Sequence, residues 1–88
     1  MKIEWDIEKR NRTLEERGID FADVEFLDWT TALTLEATRD EYGERRFVTI
    51  GLIRNRLHVL VWTPRVNTVR IISLRKANKR EIKRYGQS

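Results

Sequence analysis

Residues 46–63, RFVTIGLIRNRLHVLVWT, restrict this chain more than any other stretch. Two apolar runs of period two flank a two-residue link, Arg54-Asn55, and that arrangement favours a tight antiparallel hairpin. A two-residue turn sets Ile53 opposite Arg56, Gly51 opposite His58 and Phe47 opposite Trp62. One face then carries Val48, Ile50, Leu52, Leu57, Val59 and Val61 and reads as the core; the other carries Phe47, Thr49, Gly51, His58, Leu60 and Trp62 and reads as mixed.

The same period extends to Thr30–Ala37 and Thr68–Leu74, giving four strands with Arg46–Ile53 and Arg56–Thr63. A four-residue loop over Pro64–Asn67 would add Arg70, Ile72 and Leu74 to the first face, and Ile71, Ser73 and Arg75 to the second. Upstream, KIEW has the pattern of a short strand. Asp6 then suits an N-cap and Gly18 a helix end, so a helix is predicted over Ile7–Arg17, apolar only at Ile7 and Leu14. Asp20 caps a second short helix carrying Phe21, Val24, Phe26 and Leu27. A terminal helix is predicted from Lys76 or Ala77 to about Tyr85, stopping at Gly86. The expected architecture is α+β: two N-terminal helices on a four-stranded, mainly antiparallel sheet, then a C-terminal helix. No linker or repeat interrupts the chain, so residues 1–88 read as one domain.

At 88 residues the chain buries about 60 to 65% of its unfolded surface, too little for a large internal cofactor cavity. The absence of cysteine excludes a disulfide scaffold, a thiol nucleophile and a thiolate metal site. No apolar run reaches membrane length and no signal-peptide pattern opens the sequence, which points to the cytoplasm. The net charge of +4 conceals a division: residues 1–44 hold six Lys/Arg and thirteen Asp/Glu (−7), whereas residues 45–88 hold twelve Lys/Arg and only Glu81 (+11). Either the halves neutralise each other in the fold, or the basic half meets a polyanion.

In the predicted terminal helix Lys76, Arg80 and Arg84 recur at i, i+4 and i+8, with Lys79 and Lys83 alongside. Such a ladder is either a solvated helix tail or a nucleic-acid surface, and with Tyr85 as the only nearby aromatic, base stacking is weakly signalled. His58 is the only histidine, and its setting LHVLVW favours a packed imidazole over a catalytic one. One histidine without cysteine gives no zinc set, the acidic residues lack calcium-loop spacing, and Ser73 has no visible activating histidine. Neither a metal nor a cofactor is therefore expected. The remaining set of Arg, Lys, Tyr and Glu suits phosphodiester chemistry, in which guanidinium groups bind phosphate and stabilise charge that grows in the transition state. Glu81 and Tyr85 share a helix face at i, i+4, although Glu81 can equally pair with Arg84 or Lys83.

Several stretches together resemble the BrnT toxins of bacterial type II toxin-antitoxin modules: Trp5, Asp6 and Lys9, then Gly18 and Phe21, then GERRFVTIG and RIISLRKANKREIKRY. The resemblance spans nearly the whole chain and is most specific from Arg46 to Tyr85. It implies a RelE-like ribonuclease fold and RNA cleavage that blocks translation. It also implies neutralisation by a ribbon-helix-helix antitoxin, with operator DNA bound only through the toxin–antitoxin complex. Lys9, Arg46, Arg70, Arg75, Glu81 and Tyr85 match the family pattern. The chain departs from it at Glu16-Arg17-Gly18, where relatives read Lys-His-Gly, and at Thr13, Leu74 and His58.

The expected activity is metal-independent endoribonuclease action. Arg46, Arg70 and Arg75 would polarise the scissile phosphate and Lys79, Glu81 or Tyr85 would handle protons. Lys9, Lys76, Arg80, Lys83 and Arg84 would hold the RNA backbone. The alternative is a non-catalytic basic module that binds an antitoxin or nucleic acid.

Overall fold

The hairpin register read from the sequence is the register observed. In the computed structural model, which describes residues 2–37 and 43–87, β3 (Arg46–Ile53) pairs antiparallel with β4 (Arg56–Arg65), with Ile53 opposite Arg56, Gly51 opposite His58 and Phe47 opposite Trp62. The turn residues Arg54 and Asn55 take φ of 49° and 64°, the positive values that match a two-residue turn to strand twist.

Around this hairpin the architecture departs from expectation. The order of elements is β1 (Lys2–Trp5), α1 (Ile7–Arg17), a 3-10 helix (Phe21–Phe26), β2 (Leu33–Ala37), β3, β4, β5 (Thr68–Lys76) and α2 (Lys79–Gly86). The sheet has five strands in the order β1-β5-β4-β3-β2, and β1 lies parallel to β5, from Lys2 beside Thr68 to Trp5 beside Ile71. Two N-terminal helices on a four-stranded, mainly antiparallel sheet are therefore not what forms. KIEW is a full sheet member because Ile3 and Trp5 have apolar partners on the core face of β5. The second helix is 3-10, since a three-residue repeat turns both Phe21 and Val24 inward, at 1% and 0% exposure.

β4 and β5 are also longer than predicted. The link between them is the two-residue turn Val66-Asn67, not a loop over Pro64–Asn67, and Arg65 faces Thr68. Pro64 is tolerated inside β4 because it lies beyond Trp62, the last residue paired to β3, so its missing N–H interrupts no bond on that side. A bulge at Val61/Trp62 shifts the β4–β5 ladder: Val61 faces Ser73, whereas Trp62 faces Ile71, leaving Ile72 as the extra residue. As a result Ile71 and Leu74 occupy the same face, and so do Arg70 and Arg75, contrary to strict alternation.

The principal core lies on the face read as mixed. Leu60, Ile71, Leu74 and Ile53 pack there under Ile19, Phe21, Val24 and Leu27, with Ile3, Trp5, Trp29 and Trp62 around them. Gly51 admits this layer, because a Cβ there would come within 2.8 Å of Leu27 Cδ1 and 3.0 Å of Ala32 Cβ. Thr49, fully buried on this face, accepts a 2.8 Å hydrogen bond from Trp62 Nε1 and shares another 2.8 Å bond with the Thr34 hydroxyl. The face read as the core holds a smaller cluster, Leu57, Val59 and Ala77 with Val48, Ile50, Leu52 and Tyr85, under α2. The reversal has a physical source. Both faces are apolar enough to bury, and the face with small residues at 49 and 51 leaves room for the larger covering layer.

α1 adds caps more than core. Asp6 accepts a 3.0 Å bond from the Lys9 N–H, Gly18 closes the helix at φ 68°, and no α1 residue is buried. Arg10 clamps Asp20, the cap of the 3-10 helix, through bonds of 3.0 and 2.8 Å, and Arg17 Nη1 donates to the Leu74 carbonyl at 3.1 Å, so α1 is fastened to the 3-10 helix and to β5.

Candidate functional site

Across one face of the sheet, a row of side chains runs through neighbouring strands. Arg46 of β3 lies one step beyond the Phe47/Trp62 pair and so beside Thr63; Thr63 pairs with Arg70, and Arg70 with Glu4 of β1. The arginines of this row alternate with acids. Glu44 approaches Arg46 at 3.7 Å and Arg65 at 2.9 Å, while Glu4 approaches Arg65 at 4.0 Å and Arg70 at 3.8 Å. Among the described residues, three cations thus share two carboxylates.

Arg75 is on the same face, opposite Val59, four residues along β4 from Thr63, or about 13 Å at ordinary strand rise. The structure therefore brings Arg46 and Arg70 together and holds Arg75 apart. Its Nη1 and Nη2 each donate 2.8 Å bonds to the two oxygens of Glu81. Glu81 also closes a capping box at the start of α2: its carboxylate accepts from the Asn78 N–H at 2.9 Å while the Asn78 side chain accepts from the Glu81 N–H at 2.8 Å. The Arg75 hydrogen bonds and, after them, the Asn78 N–H hold the Glu81 carboxyl down to about 2. A group so acidic stays ionised near neutrality and is a poor proton acceptor, so its physical effect is to orient Arg75.

The capping box also sets where α2 begins. β5 runs through Lys76, so the predicted helical ladder of Lys76, Arg80 and Arg84 is broken at its first member. Lys76 projects from the strand end opposite His58, whereas Lys79, Arg80, Lys83 and Arg84 ride on the helix. Among the described residues, Arg56, Lys76, Lys79, Arg80 and Lys83 have no ion-pair partner. These five lie at the hairpin end of the sheet and along α2, the helix whose Glu81 holds Arg75. Lys9 lies apart on α1.

Hollows adjoin this region. One of about 280 Å³ is lined by Gly18, Ile19, Asp23, Ile53, Arg54, Arg56, His58 and Lys76. Another, about 180 Å³, lies between β2 and α2 and is floored by Leu33, Leu35, Val48 and Ile50, with Arg84 and Tyr85 at its side. Tyr85 donates from its hydroxyl to the Thr31 carbonyl at 2.9 Å, which fixes α2 over β2. Leu35 is 77% exposed beside this second hollow, and β2 is an edge strand.

Sequence reasoning did not single out Arg54 and Arg56. The signal was present, because the hairpin register that pairs Ile53 with Arg56 also puts Arg56 and His58 on one face. Among the described residues, no three acidic or histidine side chains converge in a manner suited to a metal ion, and no helix is long and apolar enough to cross a membrane.

Residues 5–81 match the family model described as the ribonuclease toxin, BrnT, of type II toxin-antitoxin systems. No curated protein matches the sequence.

Proposed function

The chain belongs to the BrnT family of ribonuclease toxins of type II toxin-antitoxin systems, and on that premise we propose that it cuts RNA internally without a metal, at the junction of β5 and α2. An antitoxin is its partner and RNA its substrate. The observation that carries the proposal is an oriented guanidinium at the start of a cationic helix: Arg75 is held by Glu81 of α2, Lys76 follows it on β5, and α2 also carries Lys79, Arg80 and Lys83, which have no ion-pair partner among the described residues.

A phosphodiester backbone laid along α2 relieves the mutual repulsion of these cations and places a phosphate near Arg75. The 2′-oxygen attacks the adjacent phosphorus, the P–O5′ bond breaks, and a 2′,3′-cyclic phosphate and a 5′-hydroxyl remain. Arg75 stabilises the charge that accumulates on the phosphoryl oxygens. Because its orientation is set before substrate arrives, little reorganisation accompanies the reaction. Lys79 and Tyr85 are the candidates for proton transfer. Arg46 and Arg70, interleaved with Glu4 and Glu44, extend the RNA track across the open sheet face.

Cleavage in the cytoplasm would block translation until a ribbon-helix-helix antitoxin covers the site, and that complex would bind operator DNA. The apolar floor of Leu33, Leu35, Val48 and Ile50 offers the antitoxin a landing surface. A segment with apolar residues flanked by acids would satisfy both that floor and the cations of α2.

The test is incubation of antitoxin-free protein with RNA in excess EDTA, with analysis of the product ends. Cyclic phosphate ends formed at undiminished rate are expected. Loss of cleavage in chelator, restored by a divalent ion, would reject the metal-free mechanism. No cleavage at any protein concentration would favour a non-catalytic basic module.

A further inference from the structure

The hollow at the hairpin end has features the ribonuclease reading does not use. His58 is 7% exposed and its Nδ1 lies 2.7 Å from the Arg56 carbonyl oxygen. A carbonyl only accepts, so Nδ1 carries the proton and donates. This fixes the tautomer and leaves Nε2 as the other ring nitrogen, for which no hydrogen bond is formed among the described residues. His58 lines a hollow of about 280 Å³ whose other polar walls are Arg54, Arg56, Lys76 and Asp23.

The charge balance of this hollow favours an anion. Three cations meet one carboxylate, a net of +2 without His58, and Asp23 is engaged with Arg54 at 3.4 Å. Arg54 is further held over the Phe26 ring at 4.4 Å. Arg56 and Lys76 have no ion-pair partner among the described residues. The C-terminal end of α1, at Gly18, opposes an anion, but a helix terminus is equivalent to roughly half a charge and does not outweigh two.

We infer that this hollow is a second phosphate subsite, which takes an RNA backbone phosphate away from the cleaved one and holds it with Arg56, Lys76 and the Nε2 side of His58. Nε2 donates to a phosphate oxygen only when it carries a proton, so occupancy draws the imidazole toward its cationic form. Arg54 and Asp23 form the outer wall. Lys76 directly follows Arg75 on β5, so one strand of RNA can pass from the hollow around the sheet end onto α2. Phosphate binding here is independent of whether the protein cleaves RNA, although the choice of RNA as source rests on the function proposed above.

His58 is the only histidine, so its ring signals in proton–carbon and proton–nitrogen NMR spectra are unambiguous. The full chain is titrated with inorganic phosphate at fixed pH and fixed ionic strength, using chloride as the counter-titrant. The ring signals are expected to move saturably, with the nitrogen shifts moving toward the imidazolium form. The apparent affinity should fall at least about fivefold in a variant combining Arg56→Ala and Lys76→Ala that keeps the wild-type backbone spectrum. A second arm uses a 2′-O-methyl oligoribonucleotide, which binds without being cut and should produce the same shifts. No movement up to 50 mM phosphate, or equal movement in the double variant, would overturn the site. Movement with phosphate but none with bound oligonucleotide would overturn RNA as its source. Failure of the RNA cleavage assay alone touches only the ribonuclease mechanism.

Discussion

Arg75 and Glu81 meet fork to fork, Nη1 to Oε1 and Nη2 to Oε2, both at 2.8 Å. They are six positions apart along the chain, and between them the backbone changes from strand to helix. The pair therefore couples the end of β5 to the first turn of α2, so its chemistry bears on stability as well as on the proposed site.

With its folded-state value depressed to about 2 against an ordinary 4.5, Glu81 contributes stability that is complete above about pH 4.5 and disappears as pH falls toward 2. Asp20, lowered by its bonds to Arg10 and the Ala22 N–H, acts with the same sign. Glu81→Gln keeps the capping geometry and removes the charge. It should cost about 0.5 to 1 kcal/mol at pH 7, as expected for a partly exposed pair. Denaturant midpoints measured from pH 7 to pH 2 should fall more steeply for the wild type than for the variant; parallel curves would contradict the assigned role.

RNA affinity should depend on the cations that have no acidic neighbour more than on those that do. Replacing Lys79 and Lys83 with Ala should lower the slope of log affinity against log salt by roughly 1.4, two contacts at about 0.7 each for a single strand. Replacing Arg65, which already shares Glu4 and Glu44, should change the slope by less than half as much. Filter binding with non-cleavable RNA over a range of salt reads both values.

Gly51 marks the closest approach of the covering layer to the sheet. Gly51→Ala sets a methyl 2.8 Å from Leu27 Cδ1 and 3.0 Å from Ala32 Cβ. Leu27 is 7% exposed and has little freedom to withdraw. The expected loss is about 1 to 3 kcal/mol, typical of an overpacked core, and urea denaturation measures it. A neutral result would mean that the 28–32 segment yields easily.

Leu35→Asp tests the apolar floor between β2 and α2. The side chain is 77% exposed, so the substitution should alter folding stability by about 0.5 kcal/mol or less. Antitoxin affinity should fall tenfold or more, about 1.4 kcal/mol, because a carboxylate would meet the apolar and acidic groups proposed to cover that floor. Calorimetric titration of toxin with antitoxin reads the change, and unaltered affinity would remove β2 from the interface.

Local chemistry made much of the molecule legible. The two-residue Arg54-Asn55 link determined the β3–β4 register, Asp6 and Gly18 bounded α1, and the charge division between the halves offered two readings, of which mutual neutralisation is met in the pairs of Glu4 and Glu44 with Arg65 and Arg70. These features depend on residues close in sequence, where turn geometry and capping act directly. What escaped the sequence depends on contacts between distant segments. The parallel docking of β1 on β5, the bulge that leaves Ile72 over and turns Arg70 and Arg75 to one face, and the choice of the Leu60 and Leu74 face for the larger core each required knowing which surface the Phe21–Leu27 layer would cover. Whether an arginine is neutralised was likewise undecidable from spacing. Arg70 finds Glu4 through the pairing of β1 with β5, while Lys76 meets His58 through the pairing of β5 with β4. Alternation along a strand is a local rule, but which charges become neighbours is settled only when the sheet assembles.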